Sequence, residues 1–180
     1  NLQGLIGDQQ TERANSYLVA FSQFIRKQLE LNREETITLQ EEIEAIEIYV
    51  KLQQMRYENR FTFHVETDLD TEAYLIPPML IQPFVENAIE HGFKNINYQG
   101  VLTLTIEEKA NKLHLILIDN GNGKGVPNPH KKSLSKLIIQ ERLDLLFNTQ
   151  QKGNAYFEAA PLSPPETGYR VIIVIPVIPS

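Results

Sequence analysis

Pro77-Pro-Met-Leu-Ile-Gln-Pro-Phe-Val-Glu-Asn-Ala-Ile-Glu-His-Gly92 is the stretch on which the reading of this chain turns. Its apolar residues Leu80, Phe84, Val85, Ala88 and Ile89 recur at three- and four-residue spacing, the period of one packed helix face. Gln82, Glu86, Asn87, Glu90 and His91 fall on a polar stripe by the same spacing. Pro77-Pro78 reads as the helix start, because proline is tolerated in a first turn, and the helix is expected to run to about His91. A polar stripe on a surface helix is ordinary. The apolar weight of this one predicts deep burial, where an Asn needs a partner. Coordination of Mg²⁺ through the amide oxygen is one suitable role, since that ion takes a few hard oxygens beside phosphate and water.

On the N-terminal side the chain reads as helix. Ala14, Tyr17, Leu18, Phe21, Ile25 and Leu29 form one apolar stripe, and Asn32-Arg-Glu-Glu35 interrupts it. Thr38-Leu-Gln-Glu41 fits a capping box, followed by a second stripe of Leu39, Ile43, Ile46, Val50 and Tyr57. Arg60–Val65 alternates as a half-buried strand does. C-terminal to the helix, 101–106 and 113–118 read as strands joined by a polar turn near Asn111. The second is apolar on both faces, as a central strand would be. A helix near 137–147 and strands near 155–159 and 169–175 complete the pattern. Helices followed by mixed β and α predict an α+β fold, a two-layer α/β sandwich behind a helical appendage.

Asp119-Asn-Gly-Asn-Gly123 directly follows the central strand. The plain reading is a tight turn, since Asn-Gly and Asp-Gly supply the positive φ such turns need. A calcium loop of the EF-hand kind would need Asp or Asn at 121 and Glu at 130, where Gly121 and His130 stand. A Walker A loop would need a Gly at 118 and Ser or Thr at 125, where Ile118 and Gly125 stand. Neither fits.

Residues 77–92 resemble, almost residue for residue, the N box of LytS-type sensor histidine kinases, whose ATP-binding fold is shared by gyrase, Hsp90 and MutL. Asp119–Gly123 resembles the G1 box of the same family and lies about thirty residues further on. The resemblance implies a Bergerat-type ATP site. Asn87 becomes the metal ligand for Mg²⁺, with Glu86 and His91 near the phosphates. Asp119 accepts a hydrogen bond from the adenine amino group, while Gly121 and Gly123 admit the nucleotide and hinge a lid. Gyrase-like ATPases carry a water-activating Glu four residues before the Asn. Here that position is Pro83, which favours phosphoryl transfer over hydrolysis.

Lys131 and Lys132 are ordinary solvated loop residues or, by the resemblance, cations beside the triphosphate. The family's following G2 box is altered, with Ser133 and Ser135 in place of its two glycines and Ile138 in place of its Asn. Small residues there still allow close approach to phosphate. The change also leaves open an alternative: a non-catalytic nucleotide-binding or dimerising pseudokinase.

His64, His91, His114 and His130 all lack the family's Pro-His-Phe acceptor motif. The resemblance places the acceptor upstream of Asn1. Residues 1–34 then read as the remnant of a dimerisation hairpin and 35–180 as the catalytic domain. A response regulator, of the LytTR type in this family, is the implied partner, with a homodimer in the intact protein. The implied location is the cytoplasmic side of a parent anchored in the bacterial inner membrane through upstream segments.

A net charge of −6 argues against direct nucleic-acid binding. Without cysteine, thiolate catalysis and Cys-bound zinc are excluded.

Overall fold

A computed structural model of the protein describes residues 11–57, 60–94, 96–122, 140–141, 143–148 and 155–180. Helix α1 (Thr11–Leu31) opens it. After a short turn, strand β1 (Ile37–Thr38) leads into α2 (Leu39–Arg56). The predicted capping box forms: the Glu41 N–H donates to the Thr38 hydroxyl at 3.1 Å, and the Thr38 N–H donates to the Glu41 carboxylate at 2.9 Å. Two donors that a helix start otherwise leaves free are thereby satisfied. β1 pairs antiparallel with β3 (Leu75–Ile76), a contact too short to leave a period in the sequence.

The main sheet holds β2 (Phe61–Glu66), β4 (Gly100–Lys109), β5 (Lys112–Asp119), β6 (Tyr156–Pro161) and β7 (Tyr169–Pro176), in the order β2-β4-β5-β7-β6. β2 and β4 run parallel and the other pairs antiparallel. A parallel pair needs a long crossover, and residues 67–99 supply it, carrying the Asn87 helix across the sheet. The β4–β5 turn sits where the sequence predicts, with Ala110 at φ 51° and Asn111 at φ 59°.

β5 is the middle strand, as expected, but its two faces are unequally buried. Leu113, Leu115 and Leu117 lie in the core, whereas Ile118 on the other face is 36% exposed. Two layers give a sheet one helical cover, so apolar residues on both faces marked the strand's position and not double burial. The core joins Leu39, Ile43, Ile46 and Val50 of α2 to Val85 and Ile89 of the Asn87 helix and to the inward residues of β4, β5 and β7.

The apolar stripe of α1 is divided: Ala14 is buried and Tyr17 half-buried, whereas Leu18, Phe21, Ile25 and Leu29 are each at least 41% exposed. The docked side is Ala20, Phe24, Gln28 and Leu31. Leu31 enters the core, and the Phe24 ring lies 5.5 Å from that of Tyr49 on α2. The expected domain boundary, 34/35, falls in the turn between α1 and β1.

Candidate nucleotide site

The helix carrying Asn87 begins later than Pro77-Pro78 suggests. Pro78 and Met79 instead make a turn, with Met79 at φ 57°, and α3 spans Gln82–Asn87 with Pro83 in its first turn. The reason lies on α2. Glu42 is fully buried, and its carboxylate accepts from the N–H groups of Met79 (2.8 Å), Ile81 (3.0 Å) and Gln82 (3.3 Å). No local side chain caps α3; a distant charge does. Sequence reasoning missed Glu42, because a Glu beside an apolar stripe reads as solvated.

The polar stripe is graded in depth. Gln82 is buried, Glu86 and Asn87 are half-buried, and Glu90 and His91 are exposed. The deep burial expected of Asn87 is therefore corrected: the apolar face goes into the core and leaves Asn87 at its edge. Its side chain makes no hydrogen bond among the described residues. The helix then widens into a π turn over Ala88–Gly92, where the Phe93 N–H reaches the Ala88 carbonyl at 3.1 Å. Such widened turns are frequent at functional sites.

This turn frees the Gly92 carbonyl, and the Asp119 loop takes it. The Asn122 N–H donates to it at 3.1 Å, and the Asn122 amide donates to the Lys94 carbonyl at 3.3 Å. A Cβ on Gly121 would sit 2.5 Å from the Gly92 oxygen, so only glycine lets the two segments meet this closely. Asn120 ties the loop to the start of β4. Its side-chain oxygen accepts from the Val101 N–H at 2.7 Å, and its backbone carbonyl accepts from the Tyr98 hydroxyl at 2.8 Å.

Asp119 lies at the centre, 6% exposed. Burial pushes its carboxyl up to about 6, against the opposing pull of the Gly121 and Tyr169 N–H groups. One oxygen accepts the Gly121 N–H at 2.8 Å. Gly168, which sequence reasoning also missed, has φ +131°, and a Cβ there would fall 1.8 Å from the Asp119 carbonyl oxygen. The neighbouring chain can enter β7 beside Asp119 only without a side chain at 168.

The structure thus brings Asp119 and Gly121 against the end of the helix that carries Glu86, Asn87 and His91. Gly123, Lys131, Lys132, Ser133 and Ser135 lie outside the described residues. Among the described residues no group of three or more His, Asp or Glu side chains could hold a metal. A buried carboxylate and an Asn87 amide without a hydrogen-bond partner among the described residues are groups that fit an adenine nucleotide carrying one hard cation.

The mixed five-stranded sheet with this helix and turn is a fold that catalytic domains of histidine kinases share. The nucleotide-free catalytic domain of histidine kinase ThkA matches with a TM-score of 0.54 at 16% identity, over 81% of this chain and 97% of that one. The histidine kinase domain of the blue-light activated kinase EL346 from Erythrobacter litoralis gives 0.58 at 16% identity, over 98% and 86%. At that identity the likeness is one of fold. The family model for histidine kinases matches residues 1–61.

Sequence relatives narrow the class. The sensor protein LytS of Staphylococcus epidermidis is 40% identical over 63% of this chain and 19% of its own length. LytS of Oceanobacillus iheyensis is 33% identical over 78% and 25%, and the sensor histidine kinase/phosphatase LytS of Staphylococcus aureus 36% identical over 63% and 20%. The chain belongs to the LytS-type sensor histidine kinases. It spans about a fifth to a quarter of the length of these relatives. No helix among the described residues is long and apolar enough to cross a membrane.

Proposed function

We propose that this chain is the ATP-binding catalytic region of a two-component sensor kinase and transfers the γ-phosphoryl group of ATP to a histidine on another segment. The observation that carries this reading is the seam between the Asn87 helix and the Asp119 loop. It brings the buried Asp119 carboxylate to the end of the helix that carries Asn87, whose side chain makes no hydrogen bond among the described residues. In this reading Asp119 accepts from the adenine amino group, and Gly121 and Gly123 let the backbone lie against the nucleotide. Asn87 holds Mg²⁺, and Glu86 and His91 stand nearest the transferring group. Lys131, Lys132, Ser133 and Ser135 are assigned to the phosphates by the family resemblance alone.

The acceptor ring nitrogen attacks the γ-phosphorus, the bond to the β–γ bridging oxygen breaks, and ADP leaves with that electron pair. Bound Mg²⁺ supplies neutralisation of the phosphate charge. Position 83 is a proline in the first turn of α3, so no carboxylate stands there to activate water; this favours transfer over hydrolysis. Residues 1–34 and 35–180 act as hairpin and catalytic domain of a homodimer. The phosphoryl group passes to an Asp of a LytTR-type response regulator on the cytoplasmic side of an anchored parent. The comparisons lend no support to a non-catalytic module, whose basis is the altered G2 box alone.

The test mixes this chain with Mg-ATP and a peptide bearing a Pro-His-Phe acceptor motif and follows acid-labile phosphate on histidine. Transfer is expected in the wild type and loss of at least tenfold in Asn87→Asp and Asp119→Asn, the range typical for removing a positioned electrostatic group. Binding without transfer would favour the pseudokinase, and absence of nucleotide binding would sink both readings.

A further inference from the structure

Helix α1 reaches the site through two buried amides. The Gln28 Nε2 group donates to Gln82 Oε1 at 2.7 Å, and Gln82 Nε2 donates to Glu86 Oε1 at 2.8 Å. Gln28 is 9% exposed and Gln82 1%. Chemistry fixes the direction of this chain. An ionised carboxylate only accepts, so Gln82 must turn its NH₂ to Glu86. That leaves the Gln82 carbonyl for Gln28, which must turn its own NH₂ inward. Reversing either amide would set two oxygens against each other.

The arrangement is costly if its only task is packing. Gln28 Oε1 is left buried with no hydrogen-bond partner among the described residues, and methionine would fill a similar space without an orphaned polar atom. Something other than volume is served. A second contact runs alongside: the Phe24 ring of α1 packs on Tyr49, whose hydroxyl is held protonated by burial and by the charges of Glu86 and Glu90.

We propose that Gln28 and Gln82 are positioning residues for Glu86, coupling the seat of α1 on the domain to the carboxylate beside Asn87. A roll or slide of α1 parts the Gln28–Gln82 bond. The Gln82 amide then loses the partner that fixes its orientation, and the Glu86 carboxylate is released to rotate. The dimerisation helix of the proposed kinase thus sets the geometry of a residue next to the metal ligand without touching nucleotide. This inference rests on the proposed kinase reading for its consequence, but its geometry can be tested apart from it.

The test uses Gln28→Met, Gln82→Met and the double variant, which keep chain length and remove the hydrogen bonds. The Glu86 side-chain carboxyl resonance is followed by ¹³C NMR, alongside Mg-ATP affinity and the rate of transfer to the acceptor peptide. Gln28→Met is expected to shift the Glu86 resonance and to leave affinity within twofold. It should slow transfer roughly fivefold, the size of one net hydrogen bond. The double variant should be no slower than the slower single one, because the two bonds form one chain. A Glu86 resonance unmoved in Gln28→Met overturns the proposal, and so do additive losses. Should Gln82→Met fail to fold, Gln28→Met alone decides. Should the wild type transfer nothing, the kinase reading fails, while the NMR response of Glu86 still decides whether the coupling exists.

Discussion

Asp119 keeps a carboxylate out of water, with two backbone N–H groups as its compensation. With its carboxyl pushed up to about 6, the ionised acceptor form prevails at neutral pH. Below that value a proton occupies the oxygen that, in the proposed site, accepts from the adenine amino group. Mg-ATP affinity is therefore expected to be flat from pH 7 to 8 and to fall towards tenfold per pH unit below about 6. Calorimetry of wild type against Asp119→Asn checks this, because the variant should bind weakly and the difference cancels the nucleotide's own ionisation. The folding linkage has the opposite sense. The folded value lies above the unfolded one near 3.9, so the folded state holds this proton more tightly. The group then adds stability to the nucleotide-free protein as pH falls from about 6 towards 4. At neutral pH, Asp119→Asn should raise stability by about 2 kcal/mol while binding is lost. Asp119 and Gly121 could be read from the sequence because a strand end followed by Asp-Asn-Gly has a local logic. Gly168 could not, since its need arises from a strand that returns to the Asp119 carbonyl from elsewhere in the chain.

At the scale of elements, α3 shows how a local signal can misplace a boundary. Pro77-Pro78 looks like a helix start, yet the backbone first turns at Met79 and the helix waits for Gln82. What holds it there is the Glu42 carboxylate on α2, which accepts the N–H groups of Met79, Ile81 and Gln82. Glu42→Ala would leave those donors unpaired in the interior and is expected to cost about 3 kcal/mol. Glu42→Gln keeps one acceptor oxygen and should cost roughly half as much. Urea unfolding gives the difference, and amide hydrogen exchange at Met79 and Ile81 should speed in both variants. A stable Glu42→Ala with protected amides would remove Glu42 from this role. The capping box at Thr38, by contrast, was legible because both partners lie within four residues of each other.

For the molecule as a whole, α1 has two working sides. The side with Phe24, Gln28 and Leu31 docks on the domain, while Leu18, Phe21, Ile25 and Leu29 stay exposed. The proposed homodimer would bury this exposed stripe against its counterpart. Phe21→Glu with Leu29→Glu is expected to abolish self-association in sedimentation velocity and to leave Mg-ATP affinity unchanged. Undiminished association would place the interface elsewhere. The amino-acid sequence by itself determined the class of fold, the Asn87 helix and the Asp119 turn, because periodicity, turn chemistry and short motifs are properties of neighbouring residues. It also marked β5 as the middle strand. The tertiary structure alone decided which face of α1 docks and where α3 begins. Only there does Gln28 meet Gln82 across 54 residues of chain. Each of these depends on a buried polar group finding a distant partner, and the cost of leaving such a group unpaired is felt only once the chain has closed around it.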